Sequence, residues 1–311
     1  MIDVAASHPS TAEVLAQGWC GLAWTPWVPL EQRAIRDTAP RQPGVYRVRR
    51  AGAATRRLVY VGQTGRNLRE RLQALAKGTQ GETCPFNDPH TAAPHLWLLR
   101  QHEGAGFEAS CAPVAGDGPT LRGTEDMLLW RHRVETGGAT EANHGRFYPG
   151  YGRPTNRWIG RAAAGSRVPG RPAAPLGAGS TGIDFARHHP VLQGQGGPLE
   201  AAWWQRAPLT GRRDWPTGPA VYGVYERDAT EPVYLGETGN LPGRVLAHAR
   251  VPWSLREPWL AWLSLPADTP KPVLRELESD LLGWHFWHAG RPPRAQYSAL
   301  LRAGPSREKE A

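Results

Sequence analysis

The chain is poor in the residues that build disulfide frameworks and zinc sites. Among its 311 residues only Cys20, Cys84 and Cys111 are cysteines, and none of them forms a C-x-x-C pair. An odd number of widely spaced cysteines argues against a disulfide framework and against a cysteine-based zinc site. We therefore expect a reducing compartment, for which the cytoplasm is the simplest choice.

Long apolar runs are missing as well. No stretch of the chain approaches the roughly 20 apolar residues of a membrane-spanning helix. Residues 1–21 show neither the basic segment nor the apolar run of a secretory signal. The sequence thus predicts a protein without a signal peptide and without a membrane partner.

Lysine is scarce, although the chain is strongly basic. Three of the 37 basic residues are lysines, and the formal net charge is +9. The planar guanidinium of arginine matches phosphate geometry, so this balance points to nucleic acid as a partner. A gene rich in G and C would also encode many arginines, and charge alone does not decide between the two explanations. With 40% apolar residues, the chain can still bury sizeable cores.

One motif occurs twice, in residues 44–72 and in residues 220–245. Each copy contains a tyrosine-bearing apolar segment, a polar hairpin, a second tyrosine-bearing segment, Gly-x-Thr-Gly, Asn-Leu and then an arginine. Repetition of this kind predicts two related modules in one chain. The predicted organisation is a first module with a Trp-rich lead-in at 1–150, a Gly/Pro/Arg-rich linker at 151–198, a second module at 199–305 and a polar tail at 306–311.

The residue pattern predicts the same order of strands and helices in both copies. Alternating apolar and β-branched residues indicate strands, and apolar residues at helical spacing indicate helices. Asn67 is a good N-cap for the helix that follows it, and Gly78 is expected to end that helix. The first copy is predicted to have strands at 44–49, 58–62 and 107–114 and helices at 68–77 and 121–135. The second copy is predicted to have strands at 221–225, 233–236 and 260–265, a helix that starts at 240 and a helix at 273–287.

Aligning the copies shows which polar side chains recur. Two tyrosines, one arginine, one helical glutamate and one late amide keep the same order. The glutamate and the amide are 18 residues apart in both copies, since 143 − 125 and 296 − 278 give the same number. The recurring residues are Tyr46, Tyr60, Asn67, Arg71, Glu125 and Asn143 in the first copy and Tyr222, Tyr234, Asn240, Arg244, Glu278 and Gln296 in the second.

These side-chain types suit the hydrolysis of a phosphodiester. A glutamate offers Mg²⁺ a hard oxygen ligand, and the metal polarises a phosphate. An arginine stabilises the charged transition state, and a tyrosine, whose ordinary pKa is about 10, needs a nearby cation to act as a base. In the second copy His248 lies four residues after Arg244 on the same helix face, where it would assist proton transfer. The first copy has Leu75 at the equivalent position.

The first copy resembles the GIY-YIG nuclease family through Gly44-Val-Tyr, Val59-Tyr-Val-Gly-Gln-Thr and Asn67-Leu-x-x-Arg71-Leu, followed by a helical glutamate and a late asparagine. The resemblance covers residues 44–143 and, less completely, residues 220–296. It implies an α+β fold, with a small three-stranded antiparallel sheet flanked by helices in each module. It also implies a DNA endonuclease that uses one divalent cation, Mg²⁺ or Mn²⁺.

The resemblance also implies a role for each residue. Tyr46 would be the base that activates water, Tyr60 would help to position that water and Arg71 would stabilise the transition state. Glu125 would hold the metal, and Asn143 would support the site. The second copy matches these roles with Tyr222, Tyr234, Arg244, Glu278, Gln296 and, in addition, His248, while Asn67 and Asn240 count as site support in their copies.

The two copies depart from the family pattern in different ways. The second copy has Ala220 and Gln296 where the family has glycine and asparagine. The first copy carries an insertion, residues 84–94, that the second copy lacks. We favour a Pro-rich structural cap as the interpretation of this insertion. The alternatives are a DNA contact through Asn87 and His90, or an organising role at the metal site through Asp88.

The functional hypothesis is an endonuclease whose two modules act as a pseudo-dimer and cut both strands of a DNA duplex, in restriction or phage defence. Arg66, Arg69 and Lys77 would follow DNA phosphates, although a solvated helix face explains them equally well. Glu276 competes with Glu278 as the metal ligand, but the spacing to the amide favours Glu278. The alternative functions are a DNA-binding protein whose nuclease sites have decayed and a nuclease that repairs branched or damaged DNA.

Overall fold

A computed structural model describes residues 13–52, 56–87, 90–154, 167–171, 204–211 and 214–297. The chain divides into two compact units, Met1–Ile183 and Asp184–Ala311. The predicted tail, most of the predicted linker and Asp88 lie outside the described residues. Within the part of the chain that is described, none of the helices combines the length and the apolar character that crossing a membrane requires.

Unit one is built on a four-stranded antiparallel sheet with the strand order β1-β4-β2-β3. The sequence predicts three of these strands, and the fourth is a two-residue segment of the lead-in that pairs with β4. Its proline suits an edge position, where one backbone N–H is not needed. So short a strand leaves no periodic pattern in the sequence. The strands are β1 Val28–Pro29, β2 Gly44–Arg50, β3 Tyr60–Thr64 and β4 Phe107–Pro113, and the helices are α1 Gln32–Thr38, α2 Leu68–Gln80, α3 Ala93–Glu103 and α4 Gly118–Thr136, after a short 3₁₀ helix, Trp19–Gly21.

Unit two repeats this sheet in the order β5-β8-β6-β7, again with a lead-in strand at one edge. Matching strands therefore take matching places in the two sheets, which agrees with two copies of one module. The described part of unit two has no counterpart of α1 or α3. The strands are β5 Gln205–Pro208, β6 Ala220–Glu226, β7 Tyr234–Thr238 and β8 Pro258–Ser264, and the helices are α5 Leu241–His248 and α6 Lys271–Ala289. The prediction of a mixed α+β chain is confirmed, with four strands in each sheet instead of three.

The core of each unit includes one face of its sheet and the helix that follows the tyrosine motif. Leu68, Leu72 and Leu75 of α2 are buried in one cluster with Tyr46 and Val48 of β2. Their spacing is that of an amphipathic helix, as the sequence predicts. The equivalent cluster of unit two contains Tyr222, Val224, Leu241 and Val245.

Helix α2 does not end at Gly78 but continues to Gln80. A Cβ atom at position 78 would lie 2.7 Å from the Cβ atom of Ala93 in α3. Glycine is therefore needed there for the close approach of α3 and not for ending α2. The sequence prediction lacks α3, because most of its residues are apolar and buried and no helical period separates a polar face.

The helices after β3 and β7 begin at the predicted caps. Asn67 Oδ1 accepts a hydrogen bond from the backbone N–H of Glu70 at 3.3 Å, and Asn240 Oδ1 accepts one from Gly243 at 3.4 Å. Each cap satisfies a backbone N–H that has no partner within the helix. The caps thus fix the start of the helix that carries the arginine of each copy.

Candidate active site

Two tyrosines lie side by side on each sheet. Tyr46 on β2 pairs with Gly62 on β3, so Tyr60, two residues earlier, faces the same side of the sheet. The ring centroids of Tyr46 and Tyr60 are 6.0 Å apart, and those of Tyr222 and Tyr234 are 6.1 Å apart. The rings are tilted by 38° and 35°, respectively. The two units therefore hold their tyrosine pairs in nearly the same geometry.

The glycine of each Tyr-x-Gly motif makes room for the first tyrosine. A Cβ atom at Gly62 would lie 2.5 Å from Tyr46 Oη, and a Cβ atom at Gly236 would lie 2.5 Å from Tyr222 Oη. No side chain fits at such a distance, so the phenol can lie across the neighbouring strand only where that strand has glycine. The motif has the same steric cause in both units.

An arginine and a glutamate join the tyrosines of unit one. The Nε–H of Arg71 donates a hydrogen bond to Tyr46 Oη at 3.4 Å. Burial raises the pKa of Tyr46 to about 12, the charge of Arg71 acts against this rise, and the charge of Glu125 adds to it. The tyrosine, the guanidinium and the carboxylate are thus within electrostatic reach of one another.

The same groups meet in unit two. Burial raises the pKa of Tyr222 well above its ordinary value, and the charges of Arg244 and Glu278 lower and raise it, respectively. Burial also raises the pKa of Tyr234, with Glu278 as the next cause. Glu278 therefore acts electrostatically on both tyrosines, which agrees with the preference for Glu278 over Glu276 as the predicted metal ligand.

Glu125 is the carboxylate of the unit-one site. The residue as a whole is partly exposed, but the surrounding protein desolvates its carboxyl group. This burial, followed by the charge of Asp126, raises the pKa of Glu125 to about 8, and the charges of Arg71 and Arg122 act in the opposite direction. Burial of the negative charge costs free energy, and a bound proton removes this cost by neutralising the carboxylate. A divalent cation would compensate the same negative charge with its larger positive charge. One hard oxygen donor fits an Mg²⁺ or Mn²⁺ ion that keeps water and phosphate oxygens as its other ligands. Among the described residues no three His, Cys, Asp or Glu side chains gather closely enough to form a protein cage for a metal.

Asn143 and Gln296 lie at the edge of the sheet. Asn143 Oδ1 accepts the N–H of Val61 at 2.9 Å, and Asn143 Nδ2 donates to the Val61 carbonyl at 2.7 Å. Gln296 Oε1 accepts the N–H of Leu235 at 3.0 Å. Val61 and Leu235 directly follow the second tyrosine of each pair. In each unit the amide therefore holds the edge strand that carries the second tyrosine. The shorter side chain of Asn143 and the longer one of Gln296 bond to equivalent backbone positions.

Each first tyrosine also has a histidine partner. His248 Nε2 lies 2.8 Å from Tyr222 Oη, a contact that its position one turn after Arg244 makes possible. In unit one the partner is His90, whose Nε2 lies 2.7 Å from Tyr46 Oη. The side chain of His90 is fully buried. A direct DNA contact through His90, one of the alternatives for the insertion, stays a prediction.

The rest of the insertion leads into α3, which packs on unit one. Trp97 Nε1 of α3 donates a hydrogen bond to the carbonyl of Gly81 at 2.8 Å, and apolar side chains of α3 belong to the core of the unit. This packing supports the interpretation of the insertion as a structural cap. Asn87 is partly exposed, and a DNA contact through it stays a prediction.

Three basic residues on or just before α2 are predicted to follow DNA phosphates. Arg66 and Lys77 are exposed, and their role stays a prediction. Arg69 Nε donates to the carbonyl of Ala39 at 2.8 Å, just beyond the end of α1. Arg69 therefore has a structural contact in addition to any contact with a phosphate.

A second repeated histidine is missing from the sequence prediction. His132 and His285 each lie seven residues after the site glutamate, since 132 − 125 and 285 − 278 give the same number. His132 Nε2 accepts the N–H of Leu58 at 2.9 Å, and His285 Nε2 lies 3.8 Å from Glu231 Oε1. Both histidines are buried and connect the helix to the residues just before the second tyrosine strand. Their constant distance from the glutamate is the signal that identifies them.

Comparisons of the chain with protein-family models, with curated proteins and with solved structures gave no match. The geometry of the two sites is therefore the basis of the functional argument. In each unit it consists of two tyrosines on one side of a sheet, with one arginine, one glutamate and one histidine in electrostatic or hydrogen-bonding reach of them.

Proposed function

We propose that the chain is a divalent-metal-dependent DNA endonuclease composed of two GIY-YIG-like modules. The proposal is carried by one arrangement that recurs in both units: a tyrosine pair, an arginine and a glutamate within electrostatic reach. A single cluster of this kind has simpler explanations, because tyrosines are common in sheets and glutamates are common on helices. The same cluster at matching positions of two sheets is harder to explain by packing alone.

Tyr46 is suited to take a proton from an attacking water molecule. Arg71 donates a hydrogen bond to its oxygen, which favours the ionised form of the tyrosine. Tyr60 lies beside it and would position the water. This step requires Tyr46 as the phenolate, whose own proton has first passed to solvent. The water oxygen then attacks phosphorus, the bond from phosphorus to the leaving oxygen breaks, and a proton of the attacking water passes to Tyr46 Oη. The leaving oxygen takes a proton from solvent.

Arg71 and Glu125 are suited to the charge of the phosphate. The N–H groups of a guanidinium match phosphate oxygens in geometry and charge, and Arg71 acts electrostatically on both Tyr46 and Glu125. A divalent cation held by Glu125 would polarise the phosphate and stabilise the charge on the leaving oxygen. The residues that would act in the same way in unit two are Tyr222, Tyr234, Arg244 and Glu278.

Two such sites in one chain would let each unit cut one strand of a DNA duplex. Double-stranded DNA as the partner agrees with the net charge of +9, because phosphate contacts dominate the affinity of proteins for DNA. A role in restriction or phage defence follows from the family resemblance alone.

Cleavage of supercoiled plasmid in the presence of Mg²⁺ or Mn²⁺ tests the proposal. The wild type should produce linear DNA, whereas Glu125→Ala and Glu278→Ala should each produce only nicked circles. The double variant should leave the plasmid intact. Glu82→Ala is the matched control, because Glu82 is an exposed carboxylate outside the cluster, and it should behave as the wild type. DNA binding that survives EDTA, with no cleavage of any DNA by the wild type, would refute the nuclease and favour the DNA-binding alternative.

A further inference from the structure

His90 reaches the site from the insertion and not from the repeated motif. We propose that His90 is a positioning residue for Tyr46. His90 donates a fixed hydrogen bond to the tyrosine oxygen and takes the place that His248 has in unit two. The inference rests on the proposed nuclease function, and it adds to unit one a residue that the repeated motif does not contain.

The two imidazoles occupy the same place relative to the tyrosine pairs. The ring centroid of His90 is 5.8 Å from that of Tyr46 and 5.6 Å from that of Tyr60. The ring centroid of His248 is 5.3 Å and 5.2 Å from the first and the second tyrosine of unit two. Both Nε2 atoms lie within hydrogen-bonding distance of the first tyrosine, at 2.7 Å and 2.8 Å. In each unit, therefore, an imidazole lies in the same position relative to the tyrosine pair, although the two histidines come from unrelated positions in the chain.

Unit one has no histidine at the helix position. Leu75 lies four residues after Arg71, as His248 lies four residues after Arg244. Leu75 is fully buried in an apolar cluster that also contains residues of α3. An imidazole there would bring polar ring nitrogens into an apolar contact. Unit one therefore uses position 75 for its core and supplies the imidazole from the segment just before α3.

The hydrogen bonds of His90 fix which of its ring nitrogens carries the proton. The backbone N–H of Ala92 donates to His90 Nδ1 at 3.2 Å. An acceptor nitrogen has no proton, so the neutral ring carries its proton on Nε2 and donates it to Tyr46 Oη. Burial, followed by the charge of Arg71, lowers the pKa of His90 well below its ordinary value, so the ring is neutral near pH 7.

The Tyr46 oxygen therefore accepts N–H groups from two sides, His90 and Arg71. Two donors orient the phenol and favour its ionised form. His90 does not take the proton of Tyr46, because its Nε2 already carries one. In unit two, within the residues that are described, His248 Nδ1 has no hydrogen-bond partner. The backbone contact that fixes the proton on Nε2 is thus a feature of unit one.

Cleavage by unit one alone can be measured in a Glu278→Ala chain. In that chain His90→Ala should lower the rate of plasmid nicking by about 100-fold, because the phenol loses its orienting donor. His90→Gln keeps an amide N–H near the place of Nε2–H but cannot exchange a proton, and it should retain most of the rate. Nicking by His90→Ala at the parent rate would overturn the proposal. A correctly folded His90→Gln that is as slow as His90→Ala would overturn it as well, because the imidazole would then be exchanging a proton.

The tautomer can be read without any DNA. Long-range ¹H–¹⁵N spectra of the full chain with ¹⁵N-labelled histidine should show His90 protonated on Nε2 and not on Nδ1, with the signals assigned through their loss in His90→Gln. A proton on Nδ1, or a charged ring at pH 7, would overturn the proposal whatever the plasmid assay gives. A neutral ring with its proton on Nε2, in a chain that cleaves no DNA, would instead refute the nuclease function while it supports the hydrogen bond to Tyr46.

Discussion

Units one and two bring an imidazole to the first tyrosine by different routes. In unit two it is His248, the last residue of α5, and in unit one it is His90, from the insertion before α3. The tyrosine pair and the glycine that makes room for it are the constant part, with the same near contact of 2.5 Å in both sheets. The sheet therefore fixes where the hydroxyl lies, and the chain around it can reach that place from more than one position.

The units also differ on the strand that carries the second tyrosine. Unit two has Glu237 where unit one has Gln63. Glu237 is buried and pairs with Lys271, whose Nζ lies 2.7 Å from its Oε2. After burial and other charges, Glu237 adds to the raised pKa of Tyr234. Unit two thus has one more carboxylate that acts electrostatically on its second tyrosine, so we expect the two sites to differ in rate.

Removing the first tyrosine hydroxyl should have the largest effect and should separate the units. In a Glu278→Ala chain, Tyr46→Phe should lower the rate of plasmid nicking by about 1,000-fold, because it removes the proton acceptor. In the same chain Tyr222→Phe should leave nicking unchanged, because only unit one cuts. Loss of nicking in both variants would mean that the two units do not act as independent sites.

Filling the space under the first tyrosine should destabilise both units. Gly62→Ala and Gly236→Ala each place a Cβ atom 2.5 Å from a buried hydroxyl, and we expect each to lower the free energy of unfolding by about 2–3 kcal/mol. Gly65→Ala and Gly239→Ala are the matched controls. A Cβ atom at Gly65 meets nothing closer than 3.8 Å, and one at Gly239 meets nothing within 4 Å. Urea unfolding of the full chain measures the difference, and equal stability of all four variants would contradict the common geometry.

The raised pKa of Glu125 predicts a pH dependence of stability in the absence of divalent metal. Between its ordinary pKa of 4.5 and its folded value of about 8, the folded protein holds a proton that the unfolded chain has lost. Rising pH therefore destabilises the fold across this window, by about 1–2 kcal/mol after allowance for the partial exposure of the residue. Glu125→Gln should remove this part of the dependence. Parallel curves of unfolding free energy against pH for wild type and variant would show that Glu125 is not in the environment described.

The duplication, the three main strands of each unit and the order of the site residues could be predicted from the sequence. These features depend on local patterns: alternating residues in β2, a cap at Asn67, and the constant spacing from Glu125 to Asn143. The lead-in strands and α3 could not be predicted in this way. Strand β1 is a two-residue edge strand that exists through its pairing with β4, and α3 is held by burial and not by an amphipathic period.

The role of His90 was also out of reach of the sequence. Its position has no equivalent in the second copy, and only the packing of α3 on α2 explains why the segment before α3 lies against Tyr46. His132 and His285 were within reach, because both follow a site glutamate at the same distance. Residues that act through local spacing can be found by comparing the copies, whereas a residue placed by tertiary packing requires the fold.

The smallest effect concerns the helix caps, where the units again differ. Asn67 Oδ1 accepts the N–H of Glu70, and Asn67 Nδ2 donates to Glu70 Oε1 at 2.9 Å. Asn240 has only the first of these contacts, because residue 243 is a glycine and has no side-chain oxygen that could accept a hydrogen bond from Asn240 Nδ2. We expect Asn67→Ala to lower the free energy of unfolding by about 1 kcal/mol and Asn240→Ala by less. Asn67→Ser and Asn240→Ser keep a capping oxygen and should recover most of each loss in urea unfolding. A larger loss for Asn240→Ala than for Asn67→Ala would contradict the view that the side chain at the third helical position strengthens the cap of unit one.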